Sequence, residues 1–519
     1  MNPSPSHYDA IIIGAGHNGL VSAAYLARAG RRVLVLERRE IIGGATVTEE
    51  VWPGYRVSSA SYLCSLLHPR IVEELELRRY GFEVYRREAG GFAPFPDGSY
   101  LLLYPDAPRT RAELDRFCPR DADAYFRFEA DVERAADILE PFFFGPAPGL
   151  SQVADAFAAA GASALFEPLF IGSVRELLEP RFSDEQLMAV LATDGLIGTA
   201  AGPSDPGTAY VLLHHYMGRV LGARGLWGYV RGGMGRIADA LAASAIAHGA
   251  EIRTGAEVGR VLTRGGRAVG VATASGDTFT ADCVLSNAHP AITYGLVDTQ
   301  LPAEATATLS KWNTEGVSCK INIAVTELPD FTCLPGRAPG PQHFGTIHLA
   351  PSMGFLDDAW ADAKAGRPSR APMVEVYIQT ATDHSLAPEG RHILSCFTQY
   401  FPFSLADGLD GAVEAERYTS RVIEAIARFA PNVPTSIEAI ETLTPRDLEA
   451  RFGLIGGHIF HGAITPDQMF ASDNGAGRFG IDGPATAIPG LYICGSGAWP
   501  GGCVSGLPGL NAAIRALKP

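Results

Sequence analysis

Residues 8–46 read YDAIIIGAGHNGLVSAAYLARAGRRVLVLERREIIGGAT, and they meet, in order and at the right spacing, the requirements for gripping an adenine dinucleotide. The apolar run Ala10 to Ile13 predicts a buried strand. Gly14, Gly16 and Gly19 then complete G-x-G-x-x-G, with Asn18 between the last two, where the chain must turn sharply into a helix. The first glycine permits the tight turn and the second lets a pyrophosphate approach the backbone. The third lets the helix Leu20 to Ala29 pack on the strand with its N-terminal N–H groups toward the phosphates. Gly30 stops the helix. A second strand, Arg32 to Leu36, ends in Glu37, about 20 residues on, where an acid accepts hydrogen bonds from an adenosine ribose and disfavours a 2′-phosphate.

After Glu37 the chain continues Arg38-Arg39-Glu40-Ile41-Ile42-Gly43-Gly44-Ala45-Thr46. This E-x5-G-G pattern resembles the extended fingerprint of the glutathione-reductase-like flavoproteins, which include amine oxidases and carotenoid desaturases. The resemblance implies FAD rather than NAD. It also implies that Gly43, Gly44, Ala45 and Thr46 bring a second backbone segment onto the FAD diphosphate, with the charge of Arg38 or Arg39 serving the same anion.

A chain of 519 residues, 47% hydrophobic and 19% charged, has room for two or three domains with sizeable cores. Its net charge of −15 speaks against a nucleic-acid partner, which requires clustered Lys and Arg. The lysines are Lys311, Lys320, Lys364 and Lys518; the other basic residues are arginine. Eight cysteines are scattered without C-x-x-C spacing, which excludes a redox dithiol and an obvious zinc site. His214 and His215 are adjacent with no third ligand at metal spacing, so no metal is expected. The opening MNPSPSHYD runs almost directly into the first strand, which leaves no room for a signal sequence and makes a cytoplasmic protein the expectation.

Residues 229–297 carry a second set of cofactor-domain signals: a turn at Gly232-Gly233-Met234, a helix from Gly235 to His248, and short strands at Glu251 to Thr254, Glu257 to Thr263, Ala268 to Ala274 and Ala281 to Ser286. A third set closes the chain: a strand at Leu491 to Cys494, a glycine-rich turn, and a helix from about Val504. The expected fold class is therefore α/β, with a discontinuous FAD-binding Rossmann domain at 1–75, 225–300 and 480–519. Residues 76–224 and 301–479 form an inserted mixed α+β substrate domain. Within it, residues 138–171 are poor in charge and hold Phe142, Phe143 and Phe144. They read as a helical lid over an apolar cavity, as a patch touching one membrane leaflet at the periphery, or as a pair of buried helices.

The three cofactor segments and their spacing resemble the phytoene desaturase superfamily of FAD flavoproteins, that is, the carotenoid desaturases and isomerases. In detail they resemble the branch of the pyridine nucleotide-disulfide oxidoreductase domain-containing proteins, although this chain has no redox dithiol. The echoes span nearly the whole chain: Gly14 to Gly19, Lys320-Ile321-Asn322, Asp383 to His392, Gly456-Gly457-His458 with His461-Gly462 and Asp467-Gln468, and Pro500-Gly501-Gly502. The resemblance implies an apolar tunnel for a hydrophobic small molecule. It places the Val258 backbone on the adenine ring and Gly495, Ser496, Gly497, Gly502 and the helix beginning near Val504 against the ribityl chain and flavin. Many relatives carry His where this chain has Trp499, and a small residue where it has Cys503, so one acid–base group of the family is missing.

The expected chemistry is hydride transfer between a hydrophobic substrate, isoprenoid or otherwise unsaturated, and flavin N5. No second G-x-G-x-x-G follows a strand, so electrons are expected to pass to oxygen or a quinone, or to nowhere in a redox-neutral isomerisation. Lys320 is the first catalytic candidate. Its strand resembles the one that puts a lysine near N5 in amine oxidases, where desolvation would lower its pKa for proton transfer. The plainer reading is a strand-edge lysine reaching solvent. His461 is the second candidate, as a general base; if its segment is a strand, it and His458 face opposite sides. Alternatives are an oxygen-using, amine oxidase-like reaction, a flavin isomerase, and a flavin-binding scaffold that does not turn over.

Overall fold

The computed structural model of the chain describes residues 7–471 and 484–518. The opening residues read for a signal sequence, and residues 480–483 of the third cofactor segment, lie outside the described residues. Two sheets organise the rest. The first runs in the order Val258–Arg264, Arg267–Thr273, Thr278–Ser286, His7–Ile13, Val33–Leu36, Glu251–Arg253, with Leu491–Ile493 added beside Thr278–Ser286. Its centre is parallel: Ile11 pairs with Leu34 on one side and Val284 on the other. Parallel central strands are covered on both faces, and the run Ala10 to Ile13 is accordingly buried throughout. Val258–Arg264 and Arg267–Thr273 form an antiparallel hairpin at one edge.

One face of this sheet carries the helix His17–Arg28, flanked by Gly235–Ala247 and Leu507–Leu517. Small residues make that contact tight. A Cβ on Gly19 would collide with the Gly14 carbonyl, and one on Gly509 with the carbonyl of Asn18. The last helix starts at Leu507, later than Val504. Cys503 at φ +69° and Gly506 at φ +75° hold left-handed conformations that no helix accepts, and Pro508 then occupies the first turn, where its missing N–H costs nothing.

The second sheet runs Ile437–Leu443, Ser318–Val325, His392–Gln399, Met373–Tyr377, Thr346–Leu349, Gly91–Pro94, Tyr100–Leu103. Ser318–Val325 is interior, hydrogen-bonded on both sides, and all its residues are buried. Lys320 is thus no edge lysine reaching solvent; it is 3% exposed.

Residues 138–171 fold as short helices, Glu140–Phe143, Leu150–Ala159 and Ser163–Phe170. Phe157, Phe166 and Phe170 pack on one another, and Phe170 packs on Tyr210 and Phe470. Phe157 and Phe170 are buried in that packing, as the buried-helix reading of this stretch requires. Trp499 ties it down, donating Nε1–H to the Phe142 carbonyl at 2.8 Å. Among the described residues no helix is long and apolar enough to cross a membrane.

Candidate active site

The end of the first sheet and the face of the second enclose a cavity of about 320 Å³, whereas three further cavities measure only about 20–30 Å³. At one end its walls are Gly14, Gly16, His17, Glu37, Arg38, Arg39, Gly44, Ala45, Thr46 and Val258. At the other they are Leu63, Ile197, Trp227, Ser318, Lys320, Phe397, Ile459 and Phe460. No residue of 138–171 borders it, so that segment is not its lid.

The glycine end is a cradle built from close backbone approach. Gly16 bridges to Gly43, the Gly43 N–H donates to the Ala15 carbonyl at 2.9 Å, and a Cβ on Gly44 would stand 3.3 Å from the Gly16 Cα. Any side chain there would fill the floor. Glu37 is 6% exposed at the tip of its strand, and its carboxylate accepts from the Ala15 N–H at 2.8 Å and the Arg39 N–H at 2.9 Å. This fixes an acid beside the helix N-terminus. The glycine floor, the fixed carboxylate and Val258 lining the same end fit an adenine dinucleotide.

Several expected contact residues stand behind this lining. Gly19 and Gly43 shape the turns. Gly495 packs on the Asn287 carbonyl, Gly497 on Pro290 and Gly502 on Phe460, each leaving no room for a Cβ. Asn18 lies within the helix and donates from Nδ2 to Ser496 Oγ at 3.4 Å. Ser496, Cys503 and Val504 reach the cavity from the closing turn, whereas Trp499 does not. Asn287, Ala288 and His289 also line it. They were missed because the strand Thr278–Ser286 reads as ending in an ordinary loop; the signal was a polar residue at a strand end facing the glycine turn.

Lys320 Nζ donates to Ser395 Oγ at 2.8 Å and, by a short contact, to Asn322 Oδ1. Asn322 Nδ2 in turn donates to Glu441 at 3.0 Å. Arg451 bridges Glu441 and Glu49 at 2.7 Å each, and Glu49 pairs with Arg39 at 2.5 Å. A continuous polar chain therefore joins the glycine end of the cavity to Lys320. Burial pushes the Lys320 ammonium down to about 8, against the opposing pull of Cys396, Glu441 and Cys319. At neutral pH it is a cation a short step from releasing its proton.

His461 lines the cavity, but its segment is not a strand. Gly456 and Gly457, at φ +66° and +69°, pack on Thr314 and Pro445 and turn the chain. His461 sits at φ +61°, its N–H donating to the His458 carbonyl at 3.2 Å. Its ring faces that of His289 with centroids 5.4 Å apart. Burial holds His17 down at about 4 and His458 at about 3, with His461 adding to both effects. Among the described residues no group of three His, Cys, Asp or Glu side chains is placed to hold an ion at His214 and His215. Instead His215 donates Nδ1–H to the Val211 carbonyl at 2.8 Å and stacks on Trp227 in the cavity wall.

Residues 19–438 match the model of the flavin-containing amine oxidoreductase family. The chain is 40% identical to the pyridine nucleotide-disulfide oxidoreductase domain-containing protein 2 of Mus musculus, over 98% of this chain and 94% of that one. It is 27% identical to a subunit of the limonene dehydrogenase of Castellaniella defragrans, over 97% and 93%. It is 23% identical to the neurosporene-forming phytoene desaturase of Cereibacter sphaeroides, over 100% and 96%. With the glycine cradle and the buried lysine on one cavity, these likenesses lead to one conclusion: the chain belongs to the flavin-containing amine oxidoreductase family, within its carotenoid desaturase-like superfamily, and is an FAD-dependent oxidoreductase.

Proposed function

We propose that the protein oxidises a hydrophobic, unsaturated substrate of isoprenoid type, with hydride transfer from a substrate carbon to flavin N5. The observation that carries this reading is Lys320, a buried amine in an otherwise largely apolar wall of Leu63, Ile197, Trp227, Phe397, Ile459 and Phe460. Similarity to a phytoene desaturase and to part of a limonene dehydrogenase supports the substrate class.

Residues 7–75, 225–300 and 484–518 are assigned to FAD binding, with the inserted segments supplying the substrate wall. Gly14, Gly16, Gly44, Ala45, Thr46 and Arg38 would hold the diphosphate, Glu37 the adenosine ribose, and the Val258 backbone the adenine. Ser496 and Val504 serve the flavin end. FAD, when bound, would supply the two-electron oxidant for hydride removal, which leaves the second substrate hydrogen as a proton. Lys320, once it has released its own proton, accepts that proton, and the apolar wall orients the substrate and excludes water. His461 offers a second proton-holding position. The acceptor that completes turnover is oxygen or a quinone.

Among the cavity lining the carboxylates are Glu37 and Glu257, both at the adenosine end, which disfavours a cationic amine beside Lys320. The test is product analysis: holoenzyme with benzoquinone is given terpene and polyene hydrocarbons or primary amines. Loss of two hydrogens from a hydrocarbon supports the proposal. Peroxide release with an amine and no hydrocarbon turnover overturns it.

A further inference from the structure

Behind the cavity wall lies a second chamber of about 20 Å³, bordered by Tyr62, Tyr229, Tyr377, Gln379, Ser395 and Arg56. It touches the main cavity at two points. Tyr62 borders both spaces, its ring 5.8 Å from Lys320 Nζ. Ser395 lines the chamber while accepting the 2.8 Å hydrogen bond from Lys320, which lines the cavity. The Lys320–Ser395 bond therefore crosses the partition.

The chamber is the size of a water molecule and polar enough to hold one, since a site needs roughly 10–15 Å³ and two to four polar partners. Ser395 offers its hydroxyl. The Tyr377 hydroxyl donates to Glu375 at 2.5 Å and so keeps lone pairs for a further donor. The Tyr229 hydroxyl is buried, on a residue 1% exposed, with Arg87 and the Ile378 backbone beside it. Arg56, which also borders the chamber, is exposed.

We propose that Ser395 and a water held in this chamber form the proton outlet of Lys320, carrying its proton through the partition toward solvent at Arg56. The inference rests on the reading of Lys320 as the group that takes the substrate proton. A lysine in a dry cavity that gains one proton per turnover must lose one to reset. In the outlet, an Nζ–H bond breaks and its proton goes to the Ser395 oxygen. The hydroxyl's own hydrogen passes to the water, which hands one of its hydrogens onward; no electrons move. The charged and titratable groups facing Lys320 are Glu441 from the neighbouring strand, Cys396 beside Ser395, Cys319 on its own strand, and Tyr62. The hydroxyl is the one among its hydrogen-bond partners that opens on the chamber. Ser395 is a positioning and relay residue, not a catalytic one.

The small number of lysines makes the outlet directly observable. The FAD-loaded full chain, labelled with 13Cε and 15Nζ lysine, is titrated from pH 6 to 10, with the Lys320 signal assigned by its loss in Lys320→Met. Exchange of the Lys320 amino hydrogens with solvent is then measured at pH 6 in wild type, Ser395→Val and Ser395→Thr. Valine fills the space so that no second water replaces the hydroxyl, and threonine restores the hydroxyl. The expected result is exchange slowed on the order of tenfold or more in Ser395→Val and near wild type in Ser395→Thr. Wild-type exchange in Ser395→Val, with Lys320 still titrating below the other lysines, overturns the outlet alone. If wild-type Lys320 titrates with Lys311 and Lys364, the proton-acceptor reading fails and the outlet fails with it.

Discussion

Asn287 stands so close over Gly16 that a Cβ on the glycine would collide with its Nδ2. The contact joins the end of the strand Thr278–Ser286 to the glycine turn after His7–Ile13, two segments more than 250 residues apart in sequence that the sheet makes neighbours. Substitution at Gly16 thus has two effects, filling the cradle and pushing Asn287 away.

Gly16→Val is expected to yield protein without flavin. The ratio of absorbance near 450 nm to that at 280 nm after purification reads this directly. Full yellow colour would contradict the assignment of the glycine end.

Lys320→Met has a pH signature with a definite sign. The folded lysine releases its proton near pH 8, whereas the unfolded chain holds it to about 10.5. Between those values the unfolded state binds more protons, so stability rises with pH across the window and the burial cost is fully present below pH 8. That cost is on the order of 3 kcal/mol at most. Methionine removes it: Lys320→Met is expected to melt higher than wild type at pH 7, with the gap closing toward pH 10.

Glu129 shows the opposite sign. Burial pushes its carboxyl up to about 7, against the Tyr216 hydroxyl that donates to it at 2.7 Å. The folded state holds a proton from about pH 4.5 to 7 that the unfolded chain has released, so stability falls as pH rises through that window. Glu129→Gln is expected to raise the melting temperature by a few degrees at pH 8 and hardly at all at pH 4.5.

Trp499 separates a structural role from a cofactor role. Its Nε1 bonds the Phe142 carbonyl and its ring packs on Phe143 and Phe470, away from the cavity. Trp499→Phe leaves that carbonyl short of a donor and is expected to cost about 1–2 kcal/mol in thermal or urea unfolding. Flavin content should stay at the wild-type level.

The glycine cradle and Glu37 were legible in the sequence because a dinucleotide fold demands particular residues at fixed spacing within one short segment. The Lys320 strand was legible as a strand, but its burial was not: whether a strand is central or at an edge depends on pairing with His392–Gln399 and Ile437–Leu443, far along the chain. Whether the His461 segment is a strand was not legible, because the left-handed conformations of Gly456 and Gly457 are set by packing on Thr314 and Pro445. Tyr62, Ser395 and Asn287 carry no local motif, and their importance arises only where distant elements meet. For residues 138–171 a lid, a membrane patch and buried helices all stayed open, because apolar sequence alone does not say which neighbour will cover it.

The central claim is that the cavity places a hydrocarbon against a flavin. The measurement that tests it most directly is anaerobic mixing of yellow holoenzyme with terpene and polyene hydrocarbons, quinols and amines, following the band near 450 nm and then admitting a quinone. The account predicts bleaching by an isoprenoid hydrocarbon and recovery of the band on adding the quinone. Bleaching by amines alone, or by none of the panel while dithionite reduces the flavin readily, would contradict it.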